Sequence, residues 1–245
     1  MSSRLPQAGQ RRGGSGRSIA SRVAPSPAAS ASAWLGDDRL FTPQGYEPGY
    51  DYPLLVWLPD RTPAAAGRKP FELDRVMQRV SLRNFVAVEP VVAEAEARTI
   101  DLDDAVWRSI DRVADRIAIH PRRVFLVGQG AGGSDAFRIG CRHPRGFAGV
   151  ISLGGPFPLD EALLGQLDAV RRLPMLLCCR RSSVLAEAAR TDRTLRLFHA
   201  AGAALAMRIY PGRGDLSRPV LADVNRWVMD EVCGPPAAVG SLSAS

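Results

Sequence analysis

The stretch Val124-Phe-Leu-Val-Gly128-Gln-Gly130-Ala-Gly132-Gly133 constrains this chain more than any other. A short β-branched and aromatic run ends abruptly in glycines, and a helical pattern from Ser134 to Cys141 follows at once. That order predicts a strand turning sharply into a helix, with bare backbone N–H groups at the helix start. A strand–turn–helix unit needs partners, because one strand cannot bury both of its faces alone.

Such partners are present on both sides of it. Leu54-Leu-Val-Trp-Leu58 is a continuous apolar run, as expected of a strand buried on both faces. Leu73, Val76, Met77 and Val80 fall at helical spacing, and residues 85–88 form the next strand. A helix over 102–117 carries Val106, Ile110, Val113 and Ile117 on one face, with Asp101 or Asp103 as its cap. Beyond the glycine turn, strands at 149–152, 175–178 and 206–209 alternate with helices at 159–170 and 184–201. A last helix is marked by Val220, Val224, Trp227, Val228 and Val232. These βα units predict an α/β fold: a mostly parallel sheet of about six or more strands with helices on both faces. One domain is expected over residues 34–233. Residues 1–33, rich in Ser, Ala, Gly, Arg and Pro without periodicity, read as a disordered basic tail, and 234–245 as a second disordered tail.

The net charge of +7 suggests nucleic acid until its placement is considered. Arg4, Arg11, Arg12, Arg17 and Arg22 lie in the first 33 residues with no acid among them, so the folded part is close to neutral. Lys69 is the only lysine, a bias better explained by codon usage than by a phosphate-binding surface. No apolar run approaches the roughly 18 residues of a membrane span. Four cysteines without a CxxC pair predict reduced thiols and no metal site. Neither nucleic acid nor membrane is expected as a partner, and the expected location is cytoplasmic.

Several strings resemble the phospholipase/carboxylesterase-like branch of the α/β-hydrolases, near dienelactone hydrolases and feruloyl-esterase-type proteins. Tyr52-Pro-Leu-Leu-Val-Trp-Leu58 is similar to the strand leading into that family's oxyanion loop, and Ser81-Leu-Arg-Asn-Phe85 to the segment before the next strand. Pro121-Arg-Arg-Val-Phe-Leu-Val-Gly128 leads into a turn that resembles the nucleophile elbow, G-x-S-x-G, which lifts a serine above the sheet. Phe147-Ala-Gly-Val-Ile-Ser-Leu-Gly-Gly155 resembles the strand after it, and Tyr210-Pro-Gly-Arg-Gly-Asp215 the loop ending in the catalytic histidine. The resemblance covers about residues 46–233 and implies the α/β-hydrolase fold. Active members use a serine, a histidine base and an acid that orients the base. Gly130 stands at the serine position, Asp215 at the histidine position, and Ser183 near the acid position. Leu58 is followed by Pro59-Asp60 rather than His-Gly.

Topology addresses whether another residue could substitute. In a parallel sheet the βα loops gather at the carboxyl ends of the strands, and the αβ loops at the opposite rim. His120, His143 and His199 all fall before strands or at helix ends of that opposite rim, and Ser134 sits a turn into the helix. The upper rim carries Asp60, Arg61, Glu89, Arg180, Arg181, Arg213 and Asp215. With Gln129, Gly130 and Ala131, these are the candidate ligand-binding residues, Arg61 being read as a rim charge only. A glycine at the apex predicts open space above unfilled N–H donors, a place for a small anion clamped by arginines. Glu89 and Asp215 form a candidate acid/base pair only if the fold brings them together.

Gly128-x-Gly130-x-x-Gly133 also fits the dinucleotide fingerprint, but the next strand ends in Leu153-Gly154 rather than in an acid, and two strands precede the unit. No cofactor is expected. The resulting expectation is a catalytically degenerate esterase homologue that binds a small ligand, anionic by this reasoning, or a protein partner, with homo-oligomerisation left open. The alternatives are an active carboxylic-ester hydrolase using non-standard residues, and a structural module or nucleotide binder.

Overall fold

The computed structural model describes residues 31–61, 73–91, 101–157, 165–186, 188–212 and 214–234. The chain opens with β1 (Ala31–Leu35) and β2 (Asp38–Thr42), joined through Gly36 at positive φ into an antiparallel hairpin. Then come β3 (Tyr52–Leu58), α1 (Leu73–Val80), β4 (Val86–Glu89), α2 (Leu102–Ala114), β5 (Ile119–Gln129) and α3 (Ala131–Arg142). The second half runs β6 (Gly149–Leu153), α4 (Leu167–Val170), β7 (Met175–Arg180), α5 (Arg181–Ala186), α6 (Ala188–Ala201), β8 (Leu205–Tyr210) and α7 (Arg218–Cys233).

All eight strands join one sheet in the order β1-β2-β4-β3-β5-β6-β7-β8. Six of them, β3 to β8, pair in parallel, and these are the six expected from the apolar runs. β2 runs antiparallel to β4. The hairpin is an addition, and it corrects the tail boundary: β1 begins at Ala31, inside the segment expected to be disordered. Residues 1–30 and 235–245 of the expected tails lie outside the described residues, as does the first half of the expected 159–170 helix; its end is the short α4. The helix expected at 184–201 is two, α5 and α6.

β3 is buried at all seven positions because each of its faces has its own helical cover. Leu54, Val56 and Leu58 share one core with Val106, Ile110 and Val113 of α2, Phe137 of α3 and Phe198 of α6. Leu55 and Trp57 point the other way, into a core with Leu73, Val76 and Met77 of α1 and Leu221, Val224 and Trp227 of α7. Successive residues of a strand alternate between faces, so a strand between two helix layers reads as unbroken hydrophobicity.

This arrangement places the start of α3, at the end of β5, beside the carboxyl ends of β3 and β6. Gly128 of β5 pairs with Leu58 on one side and Ser152 on the other. Asp60 after β3, Gly154 after β6 and Asp215 after β8 therefore lie at the rim that carries the glycine turn.

Candidate functional site

The turn from β5 into α3 is tight enough to demand its glycines. A β-carbon added at Gly128 would run into the carbonyl oxygen of Gly132, and one at Gly132 into that of Leu58. Gly130 itself has φ 52° and ψ −122°, outside the regions open to ordinary residues. Its N–H donates to Leu153 O at 3.0 Å, and its carbonyl accepts from Gly133 N at 3.0 Å as the first link of α3.

Open space was expected above this apex, but Asp60 occupies it. A β-carbon at Gly130 would lie 2.5 Å from Asp60 Cγ. The same carboxylate accepts from the Ala131 N–H at 3.3 Å, Oδ1 being the acceptor. The backbone donor and the positive helix end thus already hold an anion, one supplied by the chain itself. A charge-assisted contact of this kind contributes about 1 kcal/mol.

One strand over, the pattern repeats. Asp215 lies against Gly154, which follows β6 at φ 72°, with Cγ 2.5 Å from where a β-carbon would stand. Gln129 and Leu153 are register partners, so Gly130 and Gly154 head adjacent strand ends, and the two carboxylates sit side by side. Arg180, at the end of β7, lies 2.9 Å from Asp215 through Nε and Oδ1. Burial raises Asp215 above the usual carboxylate range; Arg180 opposes the rise, and the neighbouring charge of Asp60 adds to it.

Asp60, Gly130, Ala131, Arg180 and Asp215 are therefore brought together, with Gln129 half-buried at the strand end beneath them. Ser183 lies close to Arg180, lining the same cleft at the end of β7. Other expected residues go elsewhere. Arg61 turns to α3, 2.9 Å from Asp135. Arg181 is exposed on α5 beside Ile209 and Pro211. Glu89 is buried at the end of β4, which β3 and β5 separate from β6, roughly 14 Å at the usual strand spacing. It forms no acid/base pair with Asp215. Arg213 lies outside the described residues.

No family model matches the sequence, and no curated protein matches it either. Solved structures do match in shape. The substrate-bound fluorophosphonate-binding serine hydrolase F of Staphylococcus aureus superposes with a TM-score of 0.59 at 13% identity, over 84% of this chain and 99% of that one. A ferulic acid esterase gives 0.56 at 12% identity, over 82% and 97%. A 2,6-dihydroxy-pseudo-oxynicotine hydrolase gives 0.57 at 16% identity, over 86% and 70%. The fold is that of the α/β-hydrolases.

Within this fold the glycine turn, a strand end passing through positive φ directly into a helix, has the strand–turn–helix form described for the elbow motif. None of the three histidines stands near it. His143 caps the far end of α3, roughly 18 Å along the helix from Ala131, and contacts Asp103 at 3.2 Å. His120 begins β5, ten residues or roughly 30 Å before the apex. His199 lies in the last turn of α6, ahead of β8. The Ser134 hydroxyl is engaged with the Pro156 carbonyl. Among the described residues no helix is long and apolar enough to cross a membrane, and no group of three or more His, Cys, Asp or Glu could hold a metal ion.

Sequence reasoning missed Arg190. It lies in the first turn of α6, where no acid accompanies it, and its Nη2 donates to Phe157 O at 3.1 Å, beside Arg180 and Ser183. The available signal was a basic residue at a helix start, where the macrodipole disfavours it.

Proposed function

We propose that this protein is an esterase homologue that has given up ester cleavage and acts by binding. The observation that carries this reading is the position of Asp60. The place of a nucleophile's β-carbon and the N–H that follows it are both taken by one carboxylate. Acyl transfer needs a nucleophile, a base within reach and free donors for the developing oxyanion. At this apex the first position is glycine, the base position is Asp215 beside Arg180, and the donor at Ala131 is engaged. An oxyanion forming there would meet a fixed negative charge, which opposes the reaction it would have to stabilise.

The four cysteines are all free, which suits a reducing compartment such as the cytoplasm. Exposure to a fluorophosphonate probe and to p-nitrophenyl acetate tests the reading, with an active serine hydrolase as positive control. Neither labelling nor saturable turnover is expected. Stoichiometric labelling, or turnover that saturates with substrate, would overturn it in favour of an active hydrolase with unrecognised machinery.

A further inference from the structure

Beside the sealed apex, a cleft of about 140 Å³ opens between the ends of β6 and β7 and the first turn of α6. Its walls are mixed, with polar surface outweighing apolar, and apolar side chains pack beneath them. Phe157 and Leu177 are buried there, and the Phe157 ring is held 4.8 Å from Phe137 and 4.6 Å from Phe198. Its rim is cationic and hydroxylated, through Arg180, Arg190, Ser183 and Thr191. The described residues lining it include no carboxylate.

The two arginines differ in what they already hold. Arg180 shares its charge with Asp215, which lies outside the cleft wall. Arg190 has no ion-pair partner among the described residues. Its hydrogen bond to the Phe157 carbonyl fixes the guanidinium at the cleft mouth and leaves most of its N–H donors available. A planar guanidinium at the mouth of a cleft backed by Phe157 and Leu177 matches a group with a flat, bidentate anion at one end and a small hydrocarbon body at the other. The volume sets the size, being close to the roughly 150 Å³ that takes up benzene in an apolar cavity.

We propose that this cleft binds a small organic acid of about the size of benzoate, its carboxylate on Arg190 and its body against Phe157. The proposal deepens the preceding reading and rests on it. The ligand site is displaced from the elbow to the side of α6, because Asp60 holds the elbow.

Calorimetry and thermal melts with benzoate, benzamide and inorganic phosphate test it. Benzoate is expected to bind in the millimolar range or tighter and to raise the melting temperature. Benzamide has the same shape without the charge and is expected to bind at least about tenfold more weakly, with phosphate also weaker. Arg190→Gln is expected to lose about tenfold in benzoate affinity, whereas Arg193→Gln, on the same helix outside the cleft, keeps it. Both positions are exposed, so both variants should melt like the parent without ligand. The proposal is overturned if benzoate gives no heat at millimolar concentration, if benzamide or phosphate binds as well, or if Arg190→Gln binds like the parent. Silence from benzoate together with inert esters removes the cleft proposal alone; ester turnover removes the reading beneath it.

Discussion

The carboxylate of Asp215 stands where a β-carbon of Gly154 would stand, just as that of Asp60 does at Gly130. Each acid needs its glycine, so neither glycine can gain a side chain while its acid stays in place. The two pairs sit on neighbouring strand ends and feel each other's charge.

Replacing Gly130 by serine should therefore destabilise the protein by about 1–3 kcal/mol, through positive φ and overlap with Asp60. Asp60→Ala removes the overlap, so the double variant should lose less than the sum of the two singles. Denaturant melts of the four proteins measure this coupling. Additive losses would mean that the two side chains do not compete for one space. No burst of ester cleavage is expected from Gly130→Ser, because no imidazole lies within reach.

Gly128→Ala should be worse, at more than about 3 kcal/mol, since its β-carbon meets backbone rather than a side chain that can swing away. Gly49→Ala is the matched control, with nothing within 4 Å of the added carbon, and should change stability by less than about 0.5 kcal/mol. Soluble expression and melting temperature separate the two cases.

Burial raises the carboxyl of Glu89 above its ordinary value of 4.5, with Arg39 on the paired strand β2 opposing the rise. Its Oε2 is buried without a hydrogen-bond partner among the described residues. The folded state thus holds this proton more tightly than the unfolded chain does. The resulting stability is complete below the unfolded value and is lost as pH rises through the folded one. Glu89→Gln keeps a neutral side chain at every pH. It should flatten the stability profile above about pH 4.5 and leave the variant more stable than the parent at neutral pH. Chemical denaturation across that range is the measurement; an unchanged slope would refute the assignment.

Arg180 is the cation that restrains the rise at Asp215. In Arg180→Gln the Asp215 carboxyl should titrate at higher pH than in the parent, followed by carboxyl-carbon NMR. Because the pair is partly exposed, the loss of stability at neutral pH should stay near 1 kcal/mol. A titration that does not move would place the Arg180 charge elsewhere than on Asp215.

The parallel strands were legible in the sequence because burial on both faces writes itself as continuous apolar runs, as in Leu54–Leu58. The β1–β2 hairpin was not. Five residues such as Asp38-Arg-Leu-Phe-Thr42, one strand in from the sheet edge, carry polar side chains among apolar ones, and they adjoin a segment without periodicity. Gly130, Asp60, Arg180 and Asp215 were legible as upper-rim positions, since topology alone assigns strand ends to a rim. That Asp60 lies on Gly130 was not legible, because it depends on how the loop after β3 folds back over β5. Arg190 stayed hidden within an amphipathic helix, where its cleft-facing role comes from Phe157, thirty-three residues earlier in the chain.

The glycine at this apex has one more consequence. The backbone angles that would burden a serine there are open to glycine without penalty. On the function proposed above, the strain that any side chain at this apex would store is absent, and the turn keeps its shape without that mechanical load.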